Sequence, residues 1–200
     1  VRKQKRTSIS YLLQRLVKTH KEGLLTYNTL VKAMGEQAYG LIIILFALPS
    51  ALPISALPGV SFIFSVPIIF IAVHIIMARP SLWLPVALAR QRIEAEKLAN
   101  IVHRTAPHLK RIELLLKPRW QFLSSPVMER IHGIMLLGLG LLLMLPIPFS
   151  NFVLALLIIL FGLGLSEKDG LLLFIAYCAT SLYLFLLANV VEEIFVIFFT

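Results

Sequence analysis

The hydrophobic pattern of this chain is written twice. Gly40 to Ile54 reads GLIIILFALPSALPI and Gly133 to Ile147 reads GIMLLGLGLLLMLPI, so at an offset of 93 positions the glycine, the closing Leu-Pro-Ile and most of the apolar character coincide. Each copy passes through a polar break into a second apolar run, Val60–Ala78 in the first half and Phe149–Leu165 in the second, and a further run, Leu171–Val191, follows. A helix rises about 1.5 Å per residue and needs about 17 to 20 apolar residues to cross the hydrocarbon of a bilayer. The three longer runs meet that length. Gly40–Leu52 and Gly133–Leu145, at thirteen residues each, make only about 20 Å of helix, so they are expected to be half-helices unless they recruit neighbours or tilt.

The breaks carry the candidate chemistry. Prolines 49, 53, 58 and 67 crowd the first one; each removes a backbone donor and disfavours helix at the residue before it. A continuous helix is not expected there. Backbone released in this way must bond within the protein or face a wet cavity, because lipid offers no partner; Ser50, Ser55 and Ser61 are the nearby polar side chains able to help. The second break reads Pro146-Ile147-Pro148-Phe149-Ser150-Asn151. Paired, proline-interrupted segments in corresponding positions of two halves are how transporters build a site near the bilayer midplane. Pro49, Pro53, Pro58, Gly59, Ser61, Pro146, Pro148 and Asn151 are therefore the candidate site residues. Asn151 can coordinate a solute or ion, or cap the helix that follows. His74, an ionisable group inside an apolar run, is a proton-relay or binding candidate by its position, or is satisfied by a neighbouring carbonyl. Glu36, Glu167 and Asp169 form a candidate charged mouth; the plainer readings are a carboxylate at a helix N-terminus for Glu36 and a solvated turn for the other two.

Two polar stretches flank these runs. After the cluster Arg2–Arg6, the residues Ile9, Leu12, Leu13, Leu16 and Val17 recur at helical spacing, the pattern of an amphipathic helix lying on a membrane. In Arg79–Arg130, Pro107 opens a segment whose Leu109, Ile112, Leu115 and Leu116 form a stripe, with Glu113 and Lys117 as an i,i+4 pair on its wet side and Trp83 and Trp120 suited to the interface. The expected organisation is a basic amphipathic N-terminal segment (1–36), a first membrane repeat (37–78), a basic cytoplasmic connector with amphipathic helices (79–130), a second membrane repeat (131–168) and a final transmembrane helix (169–200). The fold class is all-α integral membrane: two related halves with short proline-broken, re-entrant or spanning helices, plus amphipathic surface helices.

Composition agrees with a lipid setting: 58% of residues are apolar and 14% charged, with a mean hydropathy of +0.88, more than a soluble core requires. The formal net charge is +9, which raises the question of nucleic acid. Placement answers it. Eight of the 19 Lys and Arg lie in Val1–Glu36 and ten in Arg79–Arg130, leaving Lys168; basic residues beside spans are retained in the cytoplasm and meet anionic headgroups. No base-reading module accompanies them. The single cysteine, Cys178, excludes an internal disulfide framework and is expected to serve packing. The first residues lack the features of a signal peptide, so insertion is expected through the internal runs. Enzyme signatures such as G-x-S-x-G, H-E-x-x-H or a P-loop are absent from the sequence, and His103 and His108 are poorly spaced for a metal. A non-enzymatic protein without cofactor or metal is expected. Gly138, Gly140, Gly162 and Gly164 allow close helix packing.

These residues resemble the ExoD family of bacterial inner-membrane proteins, named for exopolysaccharide synthesis. The resemblance rests on Met34-Gly35-Glu36-Gln37-Ala38-Tyr39-Gly40, on Leu48-Pro49 through Leu57-Pro58-Gly59-Val60-Ser61, on Arg79 with Trp83-Leu84-Pro85, on Lys117-Pro118-Arg119-Trp120, and on Leu145-Pro146-Ile147-Pro148-Phe149-Ser150-Asn151 with Glu167-Lys168-Asp169-Gly170. It runs from about Leu24 to the C-terminus. Gln37 stands where the family usually has Arg, and Ser50 where Asn is common, so roles for those side chains do not carry over. The resemblance implies a multi-pass protein of the bacterial inner membrane connected with export or assembly of extracellular polysaccharide, and it supplies no reaction. Three functions follow as expectations: a transporter-like protein whose breaks meet near the midplane; a non-catalytic scaffold or regulator of polysaccharide assembly proteins; and a transferase on lipid-linked sugars, with only Glu36, Glu167 and Asp169 available as acid or base. Expected partners are the bilayer, anionic lipids, polysaccharide assembly proteins and a second copy of the chain, without nucleic acid.

Overall fold

The computed structural model describes residues 24–26, 34–35, 37–52, 60–79, 92–94, 119–145 and 150–199. Helix α1, Gln37–Ala47, continues into a 3-10 turn, Leu48–Ala51. Helix α2 is Val60–Ile76. A second 3-10 turn, Gln121–Ser124, leads into α3, Pro126–Met144, followed by α4, Ser150–Glu167, and α5, Gly170–Phe199. Strands β1, Leu24–Thr26, and β2, Arg92–Glu94, pair antiparallel with Leu25 opposite Ile93. That small pair ties the N-terminal basic segment to the connector and is the one departure from helix among the described elements. The amphipathic stripes at residues 9–17 and 109–116 lie outside the described residues.

The two thirteen-residue runs do not become matching half-helices. In the second, helix extends back to Pro126: Ser125 is the N-cap, its Oγ accepting from the Met128 amide at 3.4 Å, Pro126 sits in the first turn where its missing donor costs nothing, and Glu129 complements the positive helix end. The result is 19 residues, or about 28 Å. In the first copy Gly35, 93 positions before Met128, takes φ +56. This left-handed residue interrupts the helix, and α1 has only 11 residues. Pro67 lies inside α2 without ending it, as prolines do where neighbouring groups re-satisfy the backbone.

By length and composition three helices can cross a membrane: Pro126–Met144, Ser150–Glu167 and Gly170–Glu193. The first pair, at Gln37–Ala51 and Ser61–Ile76, is apolar but shorter. The surface supports the same reading, since Ile63 and Phe185 are both 66% exposed, an outside that water does not favour but lipid accepts.

Packing interleaves the two copies. α1 lies chiefly on α4, and α2 chiefly on α3. Neither contact leaves room for a side chain at the glycine that opens each of the two similar runs. A Cβ on Gly40 would overlap the Gly162 carbonyl and stand 2.7 Å from the Ser166 amide nitrogen; a Cβ on Gly133 would stand 3.1 Å from the Ala72 carbonyl and 3.0 Å from the Ile76 amide nitrogen. The layer between is apolar, with Ile43, Ile68, Leu136, Leu143, Leu154 and Ile158 fully buried. Gly140, Gly162 and Gly164 do serve close packing, but Gly138 faces open space. α5 packs along α4 over its first part and is otherwise exposed. Cys178 lies on that exposed surface, so it is not core packing.

Candidate functional site

The starts of α2 and α4 meet. Asn151 Nδ2 donates to Ser61 Oγ at 3.0 Å, joining the first turns that follow the two breaks. Ser61 is 4% exposed. Among the described residues, Asn151 Oδ1 is buried without a hydrogen-bond partner, as is Oγ of Ser50 on the 3-10 turn packed against α4. A buried polar atom left unpaired costs about 1 to 3 kcal/mol, so such atoms mark a place where another donor or acceptor belongs. Ser150, the first residue of α4, shares a hydrogen bond between its Oγ and Tyr183 Oη on α5. Neither Ser150 nor Asn151 shows a side-chain cap on α4 among the described hydrogen bonds.

The other expected residues divide. Pro49 is in the 3-10 turn, beside Ser50. Pro53, Pro58, Gly59, Pro146, Pro148 and Glu36 lie outside the described residues. His74 is 13 residues along α2 from Ser61, about 20 Å away. Its Nδ1 donates to the Phe70 carbonyl at 2.9 Å, and its ring lies 4.3 Å from that of Phe70. Asp169 is 4% exposed, and its Oδ1 accepts from the amides of Leu171 at 3.0 Å and Leu172 at 3.4 Å. It caps α5, as Asp does at a helix start. Glu167 ends α4. His74, Glu167 and Asp169 thus sit at the opposite end of the bundle from the Ser61 and Asn151 pair.

Two polar groups had no place in the sequence reading. His132 is fully buried; its Nε2 donates to the Leu123 carbonyl at 2.8 Å, which leaves Nδ1 to accept from Tyr177 Oη at 2.7 Å. This neutral tautomer locks the 3-10 turn, α3 and α5 together. Tyr39, 93 positions earlier, is also buried and donates its hydroxyl to the Arg79 carbonyl at 3.1 Å. The available signal is the sequence pattern, in which Tyr39 and His132 each stand one residue before the glycine that opens one of the two similar apolar runs.

Comparison with known proteins covers most of this architecture. The family model described as "Exopolysaccharide synthesis, ExoD" matches residues 9–189. The chain is 33% identical over 183 residues to "Protein ExoD" of Rhizobium meliloti (strain 1021), covering 88% of this chain and 75% of that protein. It is 36% identical over 138 residues to an uncharacterized protein of Synechocystis sp. (strain ATCC 27184 / PCC 6803 / Kazusa), covering 68% of this chain and 65% of that protein. No solved structure gives a significant match. With the match running through α1 to α4 and the first two thirds of α5, the chain belongs to the ExoD family, the family of exopolysaccharide synthesis.

Proposed function

We propose that this chain is a multi-pass protein of the bacterial inner membrane, transporter-like in construction, that serves exopolysaccharide synthesis or export through a polar site where its two proline-broken connections converge. The observation that carries the reading is the 3.0 Å hydrogen bond between Asn151 and Ser61. It brings together the residues just after each break, and the unpartnered Asn151 Oδ1 and Ser50 Oγ offer sites to a solute hydroxyl, an ammonium or a metal cation.

A two-fold relation between the halves supports this proposal. The starts of α2 and α4, Val60 and Ser150, stand at the same spacing of 90 that separates Ser61 from Asn151. Their ends match too: Ala78 and Lys168 take φ 50 and 52, and the amides of Arg79 and Asp169 reach back to the carbonyls of His74 at 3.3 Å and Gly164 at 3.0 Å. Both are the six-to-one bond of a Schellman ending. Both copies also start at one end of the bundle, since Tyr39 at the head of α1 bonds Arg79 just past α2, and Pro126 and Glu129 at the head of α3 line the same pocket as these two. Parallel repeats of this kind are related by an axis along the membrane normal, and residues that meet their own counterparts, as Ser61 and Asn151 do, lie on it. The basic stretches attach at the Arg79 end, which the positive-inside rule assigns to the cytoplasm.

The test is flux through the purified full chain in liposomes, assayed for protons, monovalent cations and sugar phosphates. Uptake that falls on Asn151→Ala supports the proposal; folded protein that passes none of them defeats it. A second reading, a non-catalytic scaffold for polysaccharide assembly proteins, is favoured by the dry layer of Ile43, Ile68, Leu136 and Leu143 between the two ends. Under that reading Asn151→Ala leaves polysaccharide production intact, and neutralising Arg90, Arg92, Lys110 and Arg111 abolishes it.

A further inference from the structure

We infer that the cytoplasmic end of the bundle holds a binding site for a phosphodiester anion, the headgroup chemistry of a membrane lipid, in a pocket between the ends of α2 and α4. A concavity of about 180 Å³ opens there, with Arg79, Lys168, Glu129 and Tyr39 as its polar walls and Ile75 and Leu165 among its apolar ones. It does not depend on permeation through the Asn151 site.

Charge sets the ligand class. Among the described residues that line the pocket, two cations stand against one carboxylate, a net charge of +1 and the complement of a phosphodiester. Arginine suits a phosphate because its planar fork donates two parallel hydrogen bonds, and lysine adds a compact second charge. Volume sets the size: ligand sites for whole drug-sized molecules run from about 300 to 1,000 Å³, so this pocket takes a headgroup and leaves any acyl chain outside. Apolar side chains exposed along the helices, such as Val73 and Ile134, give such chains a surface to lie on.

The backbone is shaped for the same purpose. Of the three non-glycine residues with positive φ among the described residues, two, Ala78 and Lys168, line this pocket. A left-handed conformation costs a residue with a Cβ about 1 to 2 kcal/mol, and such strain concentrates at ligand clamps and switches. Glycine would end either helix without strain. At 168 the chain instead carries a lysine, a residue of the pocket wall. The two caps occupy corresponding positions of the halves, so the pocket lies on the axis that passes between Ser61 and Asn151 at the other end.

The experiment uses the full purified chain in a neutral detergent, with binding read by native mass spectrometry and by the shift in Tm on adding short-chain phosphatidylglycerol, short-chain phosphatidylcholine, a neutral diacylglycerol or inorganic phosphate. Phosphatidylglycerol is expected to bind and raise the Tm, and the diacylglycerol to do neither. Arg79→Gln should weaken binding about tenfold, the loss expected for one hydrogen bond to a charged group. Glu129→Gln, which raises the net charge, should hold or strengthen it, and Arg119→Gln, an exposed residue that does not line the pocket, should leave it unchanged. Lys168→Gly separates binding from folding: it relieves the left-handed strain and should raise the Tm of the lipid-free protein, while lowering lipid affinity. Binding to phosphatidylcholine as well assigns the site to the phosphodiester itself, whereas response to inorganic phosphate at similar concentration assigns it to a soluble phosphate. Equal binding of the diacylglycerol, or unchanged binding in both Arg79→Gln and Lys168→Gly, overturns the inference.

Discussion

The pair α1 and α2 and the pair α3 and α4 follow one hydrophobic pattern, yet only the second has helices of full spanning length. The difference starts from one position. Where the second copy has Met128 inside the first turn of α3, the first has Gly35 at φ +56, and the helix that runs back to Pro126 in one case is interrupted in the other. The same apolar pattern thus belongs to a helix long enough to cross a membrane in one case and to a shorter helix in the other, because its N-terminal neighbours differ. Helix length here is decided outside the hydrophobic segment. It follows that the break after α3 lies about a whole helix length, about 28 Å, from the basic end of that helix.

The glycine contacts give the comparison its sharpest test. Gly40→Ala should be the most damaging single change, at about 3 kcal/mol, the upper end of the cost of overpacking, because the new methyl meets the Gly162 carbonyl and the Ser166 amide nitrogen. Unfolding in mixed micelles measures it. Gly133→Ala meets a side-chain atom first, Cγ1 of Ile76 at 2.8 Å, with backbone no nearer than 3.0 Å. The expected loss is smaller, about 1 to 2 kcal/mol; equal losses at the two positions would mean that the two interfaces are the same after all. Gly35→Ala meets no atom within 4 Å, so its cost is backbone strain alone, about 1 kcal/mol. Cancelling that position with Gly35→Met should not restore a long α1 unless residue 35 also leaves the left-handed region, which amide exchange at Ala38 reports.

The hydrogen bond between the halves is weaker. A double-mutant cycle over Asn151→Ala and Ser61→Ala should give a coupling of about 0.6 kcal/mol, the average for side-chain hydrogen bonds in membrane bundles. Gly138→Ala changes least and in the other direction: its Cβ meets nothing within 4 Å, so helix propensity alone should stabilise α3 by up to about 1 kcal/mol.

Much of this was legible from residue order. The runs Phe149–Leu165 and Leu171–Val191 correspond to α4 and to the apolar length of α5, because twenty apolar residues have few alternatives to a helix. The family followed from ordered motifs. Hydropathy hides the helical start at Pro126 and the buried His132: Ser125 and Pro126 are ordinary start signals, but Glu129, Arg130 and His132 lower the apolar average over that turn. His74 looked exceptional by burial in sequence, yet it is satisfied by its own helix one turn back.

The sequence by itself determined the apolar lengths, the prolines that interrupt them, the clustering of the basic residues into two stretches and the family, since each depends on composition or on short-range spacing. Which helix packs on which was decided only in three dimensions. That α1 lies on α4 and α2 on α3 comes from the matching of glycine backbone to glycine and alanine backbone across distant segments, where a single methyl group is the difference between contact and overlap. Hydropathy gives every apolar face the same affinity for every other, and it takes the shapes of those faces to choose among them.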